Sequence, residues 1–123
     1  MKRQIIIKAG AVKAIADIDD SGTADAIWQA LPIKGTANIW GDEVYFEIPV
    51  DLELDDGKEL VSEGDLGYWP AGNCFCIFFG PTPMSKGSEI RPASAVNVFG
   101  KIVGDAKTFK QVKEGDPITV EQA

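Results

Sequence analysis

The chain has 123 residues, 45% of them hydrophobic and 25% charged, the size and composition of one globular domain that builds a core without disulfide or metal support. Nineteen acidic residues against twelve basic ones leave a formal charge of −7, which argues against nucleic acid and anionic membrane surfaces as partners, since both are bound through Lys and Arg. The chain has no histidine, so Ser-His-Asp and Cys-His mechanisms and Cys/His zinc sites are excluded.

At the start, Lys2 and Arg3 precede only a short apolar run before Lys8, too little for a secretory leader, and no stretch reaches the roughly 18–20 apolar residues that span a bilayer. The expectation is a cytoplasmic protein with a single domain over residues 1–123, with no metal and no cofactor. Ile5, Ile7 and Ala9 alternate with Ile6 and Lys8, and Val12, Ala14, Ala16 and Ile18 alternate with Lys13, Ile15 and Asp17. With Gly10-Ala11 between them, the two runs predict a hairpin with one apolar face. Asp17-Ile18-Asp19-Asp20-Ser21-Gly22-Thr23 imitates the start of a calcium loop, but Trp28 stands where the twelfth, bidentate ligand belongs, so the segment reads as a turn and a helix cap. Thr23 is placed as the cap of a short helix through Leu31, with Asp25 in the first turn and Pro32 as the stop.

Short strands follow at 36–40, 44–50, 66–69, 74–79 and 96–103, with weaker ones at 108–112 and 118–120, divided by turns rich in Gly, Asp and Pro. That pattern predicts a mainly β sandwich or barrel with one short α-helix. Residues 81–92 form the longest irregular stretch. Glu43, Tyr45 and Glu47 share one strand face, and alternating polar residues read as a solvated face. Cys74 and Cys76 point the same way along a strand, at or beyond the usual disulfide reach, and read as small buried hydrophobes. In the same strand Asn73, Phe75, Ile77 and Phe79 lie opposite Cys74, Cys76 and Phe78. Both faces are apolar, which leaves open which one meets the interior.

Two blocks carry a family resemblance. One is Thr23-Ala24-Asp25-Ala26-Ile27-Trp28-Gln29-Ala30-Leu31-Pro32 with Trp40-Gly41-Asp42-Glu43-Val44-Tyr45-Phe46. The other, more specific, is Glu63-Gly64-Asp65-Leu66-Gly67-Tyr68-Trp69-Pro70-Ala71-Gly72-Asn73 with Cys76-Ile77-Phe78-Phe79-Gly80-Pro81-Thr82-Pro83. Their order and spacing resemble a family of small, mostly prokaryotic, cyclophilin-like proteins of undefined function. The resemblance implies a compact cyclophilin-like β-barrel whose short helix closes one end. It also implies that Phe79 matches a phenylalanine of the cyclophilin proline pocket. Ile77 stands where those enzymes carry Gln, and their Phe-x-x-Gln-Gly-Gly-Asp block and late His are missing.

Lowering the prolyl barrier of about 18–20 kcal/mol takes an apolar pocket and a fixed donor such as Arg. The two arginines are Arg3, near the terminus, and Arg91, after the Phe-Phe pair, whereas the cyclophilin arginine precedes it. The expected function is therefore an aromatic groove for a small molecule or an extended peptide, lined by Trp69, Asn73, Phe75, Phe79, Thr82 and Arg91. Ser85 and Ser88 stand as weaker polar contacts. The alternative is a divergent prolyl isomerase using Arg91, or a subunit of a carboxamide- or lactam-metabolising enzyme.

Overall fold

The computed structural model describes residues 3–123; the leader question turns partly on Met1 and Lys2, which lie outside them. The described residues form nine strands: β1 (Arg3–Ala9), β2 (Val12–Ile18), β3 (Ile33–Thr36), β4 (Asn38–Ile39), β5 (Glu43–Glu47), β6 (Asp65–Trp69), β7 (Cys74–Phe78), β8 (Asn97–Val103) and β9 (Pro117–Gln122). One α-helix, α1 (Gly22–Ala30), and one 3-10 helix (Ala106–Gln111) complete the fold. None of the described helices is long and apolar enough to cross a membrane.

All strands belong to one antiparallel sheet ordered β3-β9-β1-β2-β8-β6-β7-β5-β4. Its two edge strands, β3 and β4, are consecutive in the chain with only Ala37 between them. A chain that leaves one edge and enters the other within a single residue forces the edges together, so the sheet curls into a nearly closed barrel. Gly35 on β3 shows how close the seam is: a Cβ there would meet the Phe46 ring of β5 at 2.8 Å. The strand expected at 36–40 is thus broken at Ala37, whose N–H donates to the Asp116 carbonyl at 2.8 Å while its own carbonyl accepts from Gly115.

The first hairpin follows its period-two pattern. Ile5, Ile7, Ala9, Val12, Ala16 and Ile18 are buried, and Gly10 supplies the turn at φ +55°. They join Ile27 of α1, Val44, Phe46, Leu66, Tyr68, Phe75, Ile77, Phe79, Phe99, Ile118 and Val120 in the barrel interior. Helix α1 begins two residues before expectation. Ser21 is its N-cap, accepting from the Ala24 N–H at 3.1 Å, and Thr23 is instead buried and receives the Asn97 amide at 3.2 Å. The strand expected at 108–112 is the 3-10 helix. Asp105 accepts from the Lys107 N–H at 2.9 Å and stabilises the first turn, and Ala106 and Phe109, three apart, bury together.

Candidate functional site

Strand β7 is buried on both faces, and its neighbours determine what each face meets. Phe75 stands opposite Phe46 and Tyr68, and Ile77 opposite Val44 and Leu66, all inside the barrel. On the outer face, Cys76 stands opposite Tyr45 and Gly67, Cys74 opposite Glu47 and Trp69, and Phe78 opposite Glu43. The outer row is not solvated. Cys74, Cys76 and Phe78 pack with Ile90 and Val96 into a second apolar cluster, joined by Tyr45, Val61, Trp69 and Val98.

The cover of this outer face is an irregular segment, residues 81–96. Its backbone pairs through isolated bridges with the irregular stretch between β5 and β6, Lys58 with Val96 and Val61 with Ile90. Its turn is tied internally: Thr82 N–H donates to Ser85 Oγ at 2.9 Å, Arg91 N–H to Ser85 Oγ at 3.0 Å, and the Thr82 hydroxyl to the Arg91 carbonyl. At its base, Asp42 N–H donates to the Pro81 carbonyl at 3.0 Å. Gly67 lets the cover come close, since a Cβ there would lie 2.9 Å from Val96 Cγ2.

Between cover and sheet lies a half-open cavity of about 230 Å³. It is lined by Trp40, Tyr45 and Trp69, by Glu43 and Cys76, and by Pro92, Ala93 and Val96 of the cover. Trp69 is held by its indole N–H, which donates to Ser94 Oγ at 2.6 Å. Trp40 is set by the tight turn into β5, where its N–H donates to the Glu43 carbonyl at 3.0 Å.

Glu43 is the unusual member. It is only 5% exposed, and its Oε1 is buried with no hydrogen-bond partner among the described residues. Burial pushes its carboxyl from the ordinary 4.5 up to about 7, and the adjacent Cys76 thiol pulls less strongly the other way. Cys76 itself is fully buried, and its thiol is pushed well up by burial and then by the Glu43 charge, so it is not an activated nucleophile. Cys74 and Cys76 are both free thiols.

Of the residues named from sequence, Trp69 lines this cavity and the other five do not. Phe75 lies inside the barrel between Phe46 and Phe99, with ring centroids 5.3 and 5.2 Å away. Phe79 is also inside, 6.3 Å from Phe109. The Phe79 face is the interior face because the β5 and β6 residues paired alongside it are Val, Phe, Leu and Tyr. Asn73 is outside the strand, in the turn at φ +53°, where its amide donates to the Val50 carbonyl and Asp51 at 3.3 Å. Thr82 fastens the cover to itself. Arg91 is engaged by Glu89 at 2.7 Å, so the structure does not bring Arg91 and Phe79 into one groove. Glu43 and Tyr45, read from sequence as part of a solvated face, border the cavity instead, because residues 90–96 return over them.

The family model described as cyclophilin-like matches residues 3–121. The solution structure of a hypothetical protein from Archaeoglobus fulgidus is similar to this chain, with 41% identity and a TM-score of 0.85 over 99% of this chain and 95% of that one. Among curated proteins, none matches. A match across nearly the whole chain, together with a nearly closed barrel of this strand order, shows that the protein belongs to the cyclophilin-like family.

Proposed function

We propose that the protein is a binding module for a small molecule, held between the outer face of β5, β6 and β7 and the covering segment. The observation that carries this reading is the cavity itself, walled by Trp40, Tyr45 and Trp69 with the buried Glu43 in its lining. Aromatic walls with a few placed polar atoms are the common make-up of ligand sites. The volume of about 230 Å³ equals that of roughly eight waters in the liquid, which suits a small molecule better than an extended peptide.

The isomerase reading requires a permanently charged donor within an apolar pocket, and no arginine is among the residues lining this one. No arrangement at Arg91 favours it over binding.

A thermal-shift panel of small aromatic and aliphatic compounds tests the proposal. A ligand at a hundredfold excess over its Kd stabilises by about 2.7 kcal/mol and raises Tm by roughly 10 °C. Trp69→Ala should fold and lose that shift. A panel without a stabilising compound, or a shift that survives Trp69→Ala, counts against the reading.

A further inference from the structure

The chemistry of the cavity narrows what it takes. Glu43 carries the one carboxyl group in its lining, and no Lys or Arg is among the residues lining it. Oε1 of Glu43 is an acceptor buried without a partner, and such an atom costs free energy until a donor reaches it. The charges nearby have the same sign. The Tyr45 phenol is raised first by burial and then by Glu114 and, further down, Glu43, and the Cys74 thiol is pushed to about 11 by burial and then by Glu47 and Glu43. The remaining lining, Trp40, Trp69, Pro92, Ala93 and Val96, carries no charge. An anion placed here meets a carboxyl group and no compensating cation.

We infer that this cavity takes a small organic cation with an N–H donor, a protonated amine, whose nitrogen meets the Glu43 carboxyl group and whose body lies among Trp40, Tyr45 and Trp69. The inference rests on the binding reading above and deepens it. Three features act together. The N–H makes a charge-assisted hydrogen bond to the Glu43 carboxylate. The positive charge supplies the counter-ion that the protein does not provide. Aromatic side chains attract a cation wherever it meets a ring face. The cavity volume limits the amine to a compact one, a single ring or a short chain.

Binding also moves a proton. With the Glu43 carboxyl at about 7, roughly half of the molecules carry its proton at neutral pH, and a bound cation favours the ionised form. Glu43 then gives up its proton to solvent as the amine enters. The groups facing it are the Cys76 thiol of β7, with Cys74 on the same strand face, and Tyr45 of β5, all pushed upward and so uncharged at that pH. Glu43 is therefore the group that changes charge.

Three probes of one shape test this: benzylammonium, benzyl alcohol and benzoate, titrated by calorimetry at pH 8 against the intact protein and Glu43→Gln. Benzylammonium should bind at least tenfold more tightly than benzyl alcohol, and benzoate most weakly. Glu43→Gln should bring benzylammonium down to the level of benzyl alcohol and so abolish the cation preference. At pH 7, titration in buffers of differing ionisation enthalpy should show about half a proton released per benzylammonium and none per benzyl alcohol. Benzoate binding as well as benzylammonium, a cation preference that survives Glu43→Gln, or binding without proton release overturns the inference. Benzyl alcohol binding with no cation preference leaves the pocket reading standing and removes this one. Failure of all three probes removes both.

Discussion

Strand β7 separates two apolar layers that are buried to the same degree and built differently. The inner layer, Phe75 and Ile77 with Phe79 just beyond the strand, is covered by other strands whose backbones are locked in ladders on every side. The outer layer, Cys74, Cys76 and Phe78, is covered by an irregular segment held by isolated bridges and a few side-chain hydrogen bonds. Ladders bring side chains to crystal-like density. A loop cover follows the sheet less closely, and the cavity survives on that side. Burial alone therefore does not distinguish a core residue from a site residue in this barrel; the nature of the cover does.

The contrast can be broken at several points. The largest effect is expected on the inner face: Phe75→Ala removes a ring packed against Phe46 and Phe99 and should cost about 3–5 kcal/mol in urea denaturation. A loss below about 1 kcal/mol would mean that the inner face is not the tightly packed one.

Glu43 sharpens the contrast through pH. Its carboxyl is raised in the folded state, so the folded protein holds that proton more tightly than the unfolded chain. The resulting stability is complete below about 4.5 and is lost as pH rises through about 7. Wild type should lose roughly 2–3 kcal/mol relative to Glu43→Gln between pH 5 and pH 8. Parallel pH profiles for the two proteins would contradict the raised, buried carboxyl.

A smaller effect is expected at Gly67, where an added methyl meets Val96 of the cover at 2.9 Å. Gly67→Ala should destabilise by about 1–3 kcal/mol and weaken ligand binding by displacing residues 92–96. Unchanged stability together with unchanged binding would show that the cover does not depend on this contact. The smallest effect is expected for Arg91→Ala. Its ion pair with Glu89 is solvent-screened and lies outside the cavity lining, so binding should be unaltered. A loss of binding would restore Arg91 to the site.

Most of the barrel was legible in the chain, because period-two runs such as Ile5, Ile7 and Ala9 carry their own signal. Element boundaries were less so. Nothing local shows that Ala37 is a seam, since that depends on its partner at Asp116; the 3-10 turn at Phe109 did carry a local signal, the Asp105 cap, which the strand pattern at 108–112 masked. In the candidate site, Trp69 was visible as an aromatic next to Pro70. Glu43 and Tyr45 were not, because their alternation with Val44 and Phe46 is what a solvated face also produces. Their cover comes from residues 90–96, roughly fifty positions away, and irregular backbone leaves no periodic trace. One usable signal was present. The Cys74, Cys76 and Phe78 row is apolar, so something had to cover it, and whatever covers it also shelters the neighbouring row of β5.

The most direct test of the account uses its three tryptophans. Trp40 and Trp69 line the cavity, whereas Trp28 lies on α1 with its ring 5.5 Å from the Arg3 guanidinium. Indole N–H resonances are followed in a ¹H–¹⁵N spectrum during titration with benzylammonium. The account predicts that the Trp40 and Trp69 signals move along one saturating curve while Trp28 stays in place, and that Glu43→Gln flattens that curve. Movement of Trp28 alone, or of all three without saturation, would contradict it.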